Sequence, residues 1–193
     1  MTADPPSAGF PSLTSPERRV LLWLARESIR TALQRQNPPE LDDPTPALSA
    51  PTAAFVSLHC GRGLRGCIGT LAADSALHHT VAQVARSAAF DDPRFPPLAV
   101  NELSAVDIEI SRLSPLVPTR PEHIRLGVHG LSITCGEHRG VFLPQVALQH
   151  DWDRDRLLAE LCRKALLPAD AWTRPDCVLM AFEAEVFGES ATA

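Results

Sequence analysis

Tyrosine is absent from the 193-residue chain and lysine occurs once, at Lys164, so its 18 basic side chains are almost all arginine. No apolar run approaches the roughly 18 residues that a membrane-spanning helix needs. The N-terminal MTADPPSAGFPS has neither the basic nor the apolar segment of a secretory signal, so a cytoplasmic protein is expected. The five cysteines (Cys60, Cys67, Cys135, Cys162, Cys177) are odd in number and contain no CxxC spacing. That argues against a disulfide framework and against a four-cysteine zinc site, and predicts reduced thiols. There is no surplus of basic charge. At a net charge of -5 and a pI of about 5.8, nucleic-acid binding would need a local patch rather than a global field. Glycine is scarce, 10 against 18 prolines, which favours rigid extended connections over flexible linkers. What remains is ordinary: 45% apolar and 21% charged residues, enough to bury one core or one compact two-lobed unit.

Residues Met1 to Ser12 are small, polar and proline-rich, which predicts a frayed tail over 1–14. A helix should start at Ser15 as N-cap with Pro16 first in the helix, and Leu21, Ala25, Ile29 and Leu33 then share one face. It should end before Asn37-Pro38-Pro39, and the five prolines between Pro38 and Pro51 predict an ordered crossing loop. Ala53 to Cys60 and Leu64 to Leu71 look like two strands joined by the three-residue loop Gly61-Arg62-Gly63. A helix over about Ser75 to Ala89 follows. Val106, Ile108 and Ile110 then alternate with Asp107, Glu109 and Ser111, the pattern of a half-buried strand with an acidic exposed face. Beyond Pro115 come a hairpin of Leu131–Cys135 and Val141–Leu143, joined through Gly136 and Gly140, and a helix over Arg154 to Leu167. A long last strand, Val178 to Phe187, should return to the first sheet. Hairpins dominate and no βαβ repeat is visible, so the expected class is α+β with mainly antiparallel pairing.

Chemistry concentrates at Leu64 to Thr70. On a strand, Arg65 and Cys67 project from one face, and Gly66 and Gly69 give close access to the backbone. A guanidinium that close favours thiolate over thiol, the form that acts as nucleophile. The plainer reading makes Cys67 a small buried hydrophobe. His59, across the hairpin, is either an acid-base partner of Cys67 or a hydrogen-bonded histidine at a strand end. Glu109 lies either on a solvated face or in a cleft as a carboxylate, while Asp92 and Arg94 either pin a loop or shape an anion site. Three apparent motifs carry little. His78-His79 are adjacent on a helix, point about 100° apart and should face solvent. Cys135-x-x-His138 is half of a zinc motif without its partner, so neither metal nor cofactor is expected. GRGLRG joins two strands and lacks the helix of a phosphate loop.

LRGCIGT (Leu64 to Thr70) resembles the signature string of the AMMECR-domain family, in particular its bacterial branch, AmmeMemoRadiSam system protein A. AAFDDPRFPPL (Ala88 to Leu98), DIEISRLSP (Asp107 to Pro115), FLPQVALQHDWDRDRLLAELCRKA (Phe142 to Ala165) and EAEVF (Glu183 to Phe187) resemble further family segments in the same order. The likeness spans roughly Ser15 to Glu189. It implies an α+β domain over 15–189 with a larger lobe, about 15–117 and 150–189, and a smaller one, about 118–149. The cleft between them would be lined by Arg65, Cys67, Asp92, Arg94, Glu109 and Gln145, with Trp152 in support. On that basis Cys67, Arg65 and Glu109 are the candidate catalytic residues, and Asp92, Arg94, Gln145 and His59 the candidate substrate-binding ones. The family's company implies a Memo-like protein and a radical SAM enzyme as partners in modifying an RNA base or a related metabolite. The alternatives are a non-catalytic nucleotide- or RNA-binding module and an interaction scaffold. Leu166 departs from the family's usual glycine, Val141-Phe142 replace the commoner Leu-Leu, and His59 stands where the family often has lysine, which moves the acid-base role toward Glu109.

Overall fold

A computed structural model describes residues 10–61 and 63–190; most of the tail expected over 1–14 and Arg62 of the expected hairpin loop lie outside the described residues. The chain divides into two compact units, one of Pro11–Leu113 with the segment from Glu185 onward, the other Ser114–Ala184.

In the first unit, helix α1 (Ser15–Leu33) is capped by Thr14 rather than by Ser15. The reason is spacing: the box needs a glutamate three residues after the cap, and Glu17 serves Thr14. The Glu17 carboxylate accepts the Thr14 N–H at 2.8 Å and the Thr14 hydroxyl accepts from the Glu17 N–H, an arrangement worth about 1 kcal/mol. The proline-rich crossing is not loop throughout. It holds a single helical turn, α2 (Pro46–Ser49), which Pro46 can open because the first helical position needs no donor. Strands β1 (Ala54–Cys60), β2 (Gly63–Gly69) and β3 (Val106–Leu113) are antiparallel, with β1 in the middle. Gly63 already belongs to β2, so the connection is shorter than the three residues expected. The last strand, β7 (Cys177–Gly188), does return to this sheet beside β3, where the Glu189 N–H reaches the Ile108 carbonyl at 3.1 Å.

Alternation decides the faces. Val56, Leu58, Ile108 and Ile110 are fully buried in one core with Leu21 and Ile29 of α1 and with Val81 and Ala85 of α3 (Leu77–Phe90). Gly66 and Gly69 give the close access to the backbone expected of them, and packing neighbours take it. A Cβ at Gly66 would sit 2.1 Å from the Ala88 carbonyl oxygen of α3, and one at Gly69 would sit 2.1 Å from the Phe55 ring. His78, expected in solvent, is buried, with its Nδ1 2.8 Å from the Leu48 carbonyl; only His79 is exposed. Glu185 gathers the Leu13 N–H at 3.0 Å, Arg18 at 2.7 Å and the buried Arg112 at 3.0 Å, tying the start of α1 to β3 and β7.

In the second unit β5 (His129–Cys135) lies between β6 (His138–Phe142) and the first part of β7, and β4 (Val117–Pro118) pairs with β7. The short helix α4 (Gln145–Gln149) and α5 (Arg154–Lys164) complete it. Residues 150–184 belong here and not with the larger lobe, because Leu157, Leu158 and Leu161 of α5 bury against Leu131 and Ile133 of β5. Gly140 is inside β6 rather than in the turn, and its missing Cβ lets α5 approach: an added one would lie 2.7 Å from the Leu161 carbonyl oxygen. The expectation of five thiols fails. Cys135 and Cys177 form a disulfide, Cα atoms 4.4 Å apart, because the β5–β7 register sets them directly opposite at the ends of both strands. A rule based on CxxC spacing does not register a cross-strand pair 42 residues apart. Antiparallel strands with helices packed against them, without βαβ units, define an α+β fold.

Candidate functional site

Cys67 lies on β2, the edge strand of the first unit's sheet. Its backbone N–H and C=O point away from β1, where an edge strand normally leaves them to water or to a stray partner. Two side chains of the turn after α3 take that place. The Asp92 carboxylate accepts the Cys67 N–H at 2.8 Å, and Arg94 Nη2 donates to the Cys67 carbonyl at 3.3 Å. Asp92 and Arg94 are locked together as well, through Arg94 Nε at 2.9 Å, Nη2 at 2.6 Å and the Arg94 N–H at 3.1 Å. This is the geometry of bidentate arginine–carboxylate pairing. Only 2% of the Asp92 side chain is exposed against 55% of Arg94. The Arg94 hydrogen bonds, joined by the Cys67 and Arg94 amides, outweigh burial and hold the Asp92 carboxyl far below the usual range. Arg94 is raised in turn by Asp92. Of the two readings open for Asp92 and Arg94, the contacts are those of a pinned loop, with the pinned object being the cysteine's own backbone.

The row across the sheet brings three side chains together. Cys67 of β2, Ser57 of β1 and Glu109 of β3 are directly opposite one another and face away from α1 and α3. Because Cys67 turns its backbone groups outward, Cys67 and Ser57 form the close, non-hydrogen-bonded kind of antiparallel pair. The Ser57 hydroxyl accordingly donates to Cys67 Sγ at 3.2 Å. Ser57 was not legible as a site residue; it reads as one more polar residue of an alternating strand, and only the register gives it a partner.

Arg65 has an ion-pair partner of its own. A bulge in β2 between the Leu58–Gly66 and His59–Leu64 pairs leaves Arg65 as the extra residue. Its guanidinium binds Glu102, in the 3-10 turn Val100–Ala105, through Nε at 2.8 Å and Nη2 at 3.0 Å. Arg65, then the Ala99 amide, draw the Glu102 carboxyl down to about 2, and Glu102 raises Arg65. Two cations lie near the Phe95 ring, Arg65 at 5.9 Å and Arg94 at 5.5 Å from its centre. Glu102 and Phe95 are further residues without a sequence signal. Among the described residues, Arg65 Nη1, His59 Nε2 and Gln145 Oε1 are buried side-chain atoms with no hydrogen-bond partner. Such atoms are rare and often mark functional positions. Gln145 starts α4 in the second unit, where Trp152 stacks on His150 at 4.6 Å and meets Phe142 edge-on at 5.7 Å. Cys135 of the half zinc motif is in the disulfide, and His138 Nδ1 contacts the Ala165 carbonyl at 3.1 Å.

The result is an α+β protein whose distinguishing feature is an edge-strand cysteine, clamped through its backbone by an Asp-Pro-Arg turn and aligned with a serine and a glutamate. The AMMECR1 family model matches residues 22–187, and the chain belongs to that family. A protein of Methanothermobacter thermautotrophicus is 36% identical over 188 residues, covering 93% of this chain and 98% of its own length. One of Methanococcus aeolicus is 40% identical over 158 residues, 77% and 79% of the two chains. The crystal structure of the uncharacterized protein PH0010 from Pyrococcus horikoshii is similar at a TM-score of 0.87 and 33% identity, covering 92% of this chain and 93% of that one. Among the described residues, no helix is long and apolar enough to cross a membrane.

Proposed function

We propose that this chain is a cysteine-dependent enzyme with Cys67 as nucleophile and Glu109 as the proton-transfer group. The row Cys67–Ser57–Glu109 carries the reading, because it sets a thiol, a hydroxyl and a carboxylate in line on the face away from the helices. The Asp92–Arg94 clamp supports it by fixing the backbone of the reacting residue. The buried, unpartnered His59 Nε2 and Arg65 Nη1 on the same hairpin are groups that a substrate oxygen would satisfy. By family resemblance the substrate is an RNA base or a related metabolite, modified in a cytoplasmic pathway with a Memo-like protein and a radical SAM enzyme.

The test is the rate at which iodoacetamide alkylates Cys67 in the native chain, mapped by peptide mass to separate it from the exposed Cys60. Cys67 should react at neutral pH at least about tenfold faster than Cys60, as thiolate character requires. An unreactive Cys67 would overturn the reading. The second reading, a nucleotide- or RNA-binding module, draws on Phe95 with the Arg65 and Arg94 guanidiniums near its ring, an aromatic for a base and cations for a phosphate. It predicts nucleotide retention that survives C67S.

A further inference from the structure

We propose that Arg94 forms an anion subsite beside Cys67, in which the outward edge of its guanidinium holds a carboxylate or phosphate of the substrate and sets the rest of the molecule near the sulfur. The subsite rests on the reading of Cys67 as nucleophile and adds to it the class of substrate, a small organic acid or a phosphate ester. Two of the three guanidinium nitrogens are committed. Nε and Nη2 hold the Asp92 carboxylate at 2.9 and 2.6 Å, and Nη2 also donates to the Cys67 carbonyl at 3.3 Å. Nη1 has no hydrogen-bond partner among the described residues. Because the other edge is fastened, the planar fork is already ordered, and a ligand oxygen that binds Nη1 costs little rotamer freedom. The Nη2 contact to the Cys67 backbone places that free edge next to the proposed nucleophile.

The orientation of the ion pair gives the subsite its sign. Asp92 is 2% exposed and Arg94 55%, so the carboxylate is the buried end of the pair and the cation the end that meets solvent. The pair that Arg65 makes with Glu102 is turned the other way, the cation 12% exposed and the carboxylate 34%, so Arg94 is the guanidinium that a dissolved anion meets. Hydrogen bonding to Asp92 raises the Arg94 pKa most, burial opposes it, and the charges of Asp92 and of the Cys67 sulfur add to the rise. The sulfur is therefore within the field of the cation. Phe95, next in the chain, sets its ring 5.5 Å from the Arg94 guanidinium carbon and offers an apolar wall to the body of a ligand. Pro93, Pro96 and Pro97 stiffen the segment that carries both side chains.

The experiment compares alkylation of Cys67 in the full chain by iodoacetate, which carries a carboxylate, and by iodoacetamide, its neutral analogue, with the modified peptide identified by mass. The ratio of the two rates cancels the reactivity of the thiol and reports the anion alone. It should exceed the ratio for a free neutral thiol, N-acetylcysteine amide, by about tenfold, the scale on which a fixed cation concentrates an anion. At constant ionic strength, inorganic phosphate or acetate should lower the ratio; phosphate acting more strongly assigns a phosphate ester, acetate a carboxylic acid, and competition by neither overturns the subsite. R94Q, its fold confirmed by circular dichroism, should return the ratio to the free-thiol value, since any disturbance of the Cys67 backbone slows both reagents alike. A wild-type ratio equal to that of the free thiol, or a raised ratio that persists in R94Q, would overturn the subsite while leaving Cys67 a nucleophile. A Cys67 inert to both reagents overturns the nucleophile reading. The subsite is then decided by phenylglyoxal modification of Arg94, which phosphate or acetate should slow severalfold; an unprotected Arg94 overturns it. Should R94Q not fold, the wild-type ratio and its competition decide the question alone.

Discussion

Replacing Asp92 with asparagine tests the clamp that holds Cys67 in place. The wild-type carboxylate accepts four hydrogen bonds: one from the Cys67 amide, one from the Arg94 amide and two from the Arg94 guanidinium. Asparagine keeps one oxygen and turns an NH2 group toward donors, so about half of these bonds are lost. A bond to a charged group contributes about 1.5–3 kcal/mol net. Arg94 is 55% exposed and is re-solvated on release, so its share is discounted to about 1 kcal/mol or less. The buried Cys67 amide has no such recourse. The expected loss for D92N is about 2–3 kcal/mol, a drop of about 1 M in the urea midpoint at neutral pH. The pH dependence is the sharper part. The Asp92 pKa is depressed by folding, so its contribution is complete above the unfolded value of about 3.9 and is lost as pH falls from there toward the folded value. The amide of the D92N variant has no such titration, so the stability gap should narrow between about pH 4 and about pH 2.5, read by urea unfolding with circular dichroism. Amide exchange at Cys67 should also quicken in D92N. A gap below about 1 kcal/mol at neutral pH, or one that stays constant down to about pH 2.5, would refute the clamp's role.

Three further outcomes follow from the packing. G66A drives a Cβ to 2.1 Å from the Ala88 carbonyl and should cost about 3 kcal/mol or more in denaturant unfolding; a loss under about 1 kcal/mol would show that α3 does not rest on β2 backbone. L166G should raise stability by about 1 kcal/mol, seen as a higher Tm, because Leu166 sits at φ 60° just past α5, where glycine carries no Cβ penalty; an unchanged or lower Tm would count against it. Unfolded, unreduced chain should titrate three thiols and reduced chain five, and reduction should lower stability by about 4 kcal/mol, the loop-closure value for the 42-residue separation of Cys135 and Cys177. Five thiols without reductant would remove the disulfide.

Much of the fold was legible because it depends on periodicity. Leu21, Ala25 and Ile29 announced α1, and Val106, Ile108 and Ile110 announced β3, since apolar spacing reports which face an element buries. The LRGCIGT string pointed to Cys67, and the turn residues around Asp92 and Arg94 stood out for their chemistry. Spacing along one strand, however, sets which face a side chain takes and says nothing about what stands opposite. Arg65 and Cys67 share a strand, yet only the fold shows the β2 bulge at Arg65 and the Glu102 carboxylate that its guanidinium binds. Ser57 and Glu109 gain their place beside Cys67 only from the antiparallel register of three strands, and Cys135 meets Cys177 only through the pairing of β5 with β7. The sequence by itself therefore determined the elements, their buried faces and the candidate nucleophile, all of which follow from local spacing. Tertiary structure alone decided the partners, because hydrogen bonds, ion pairs and disulfides form over a few ångströms of space, a distance that pairing and packing set.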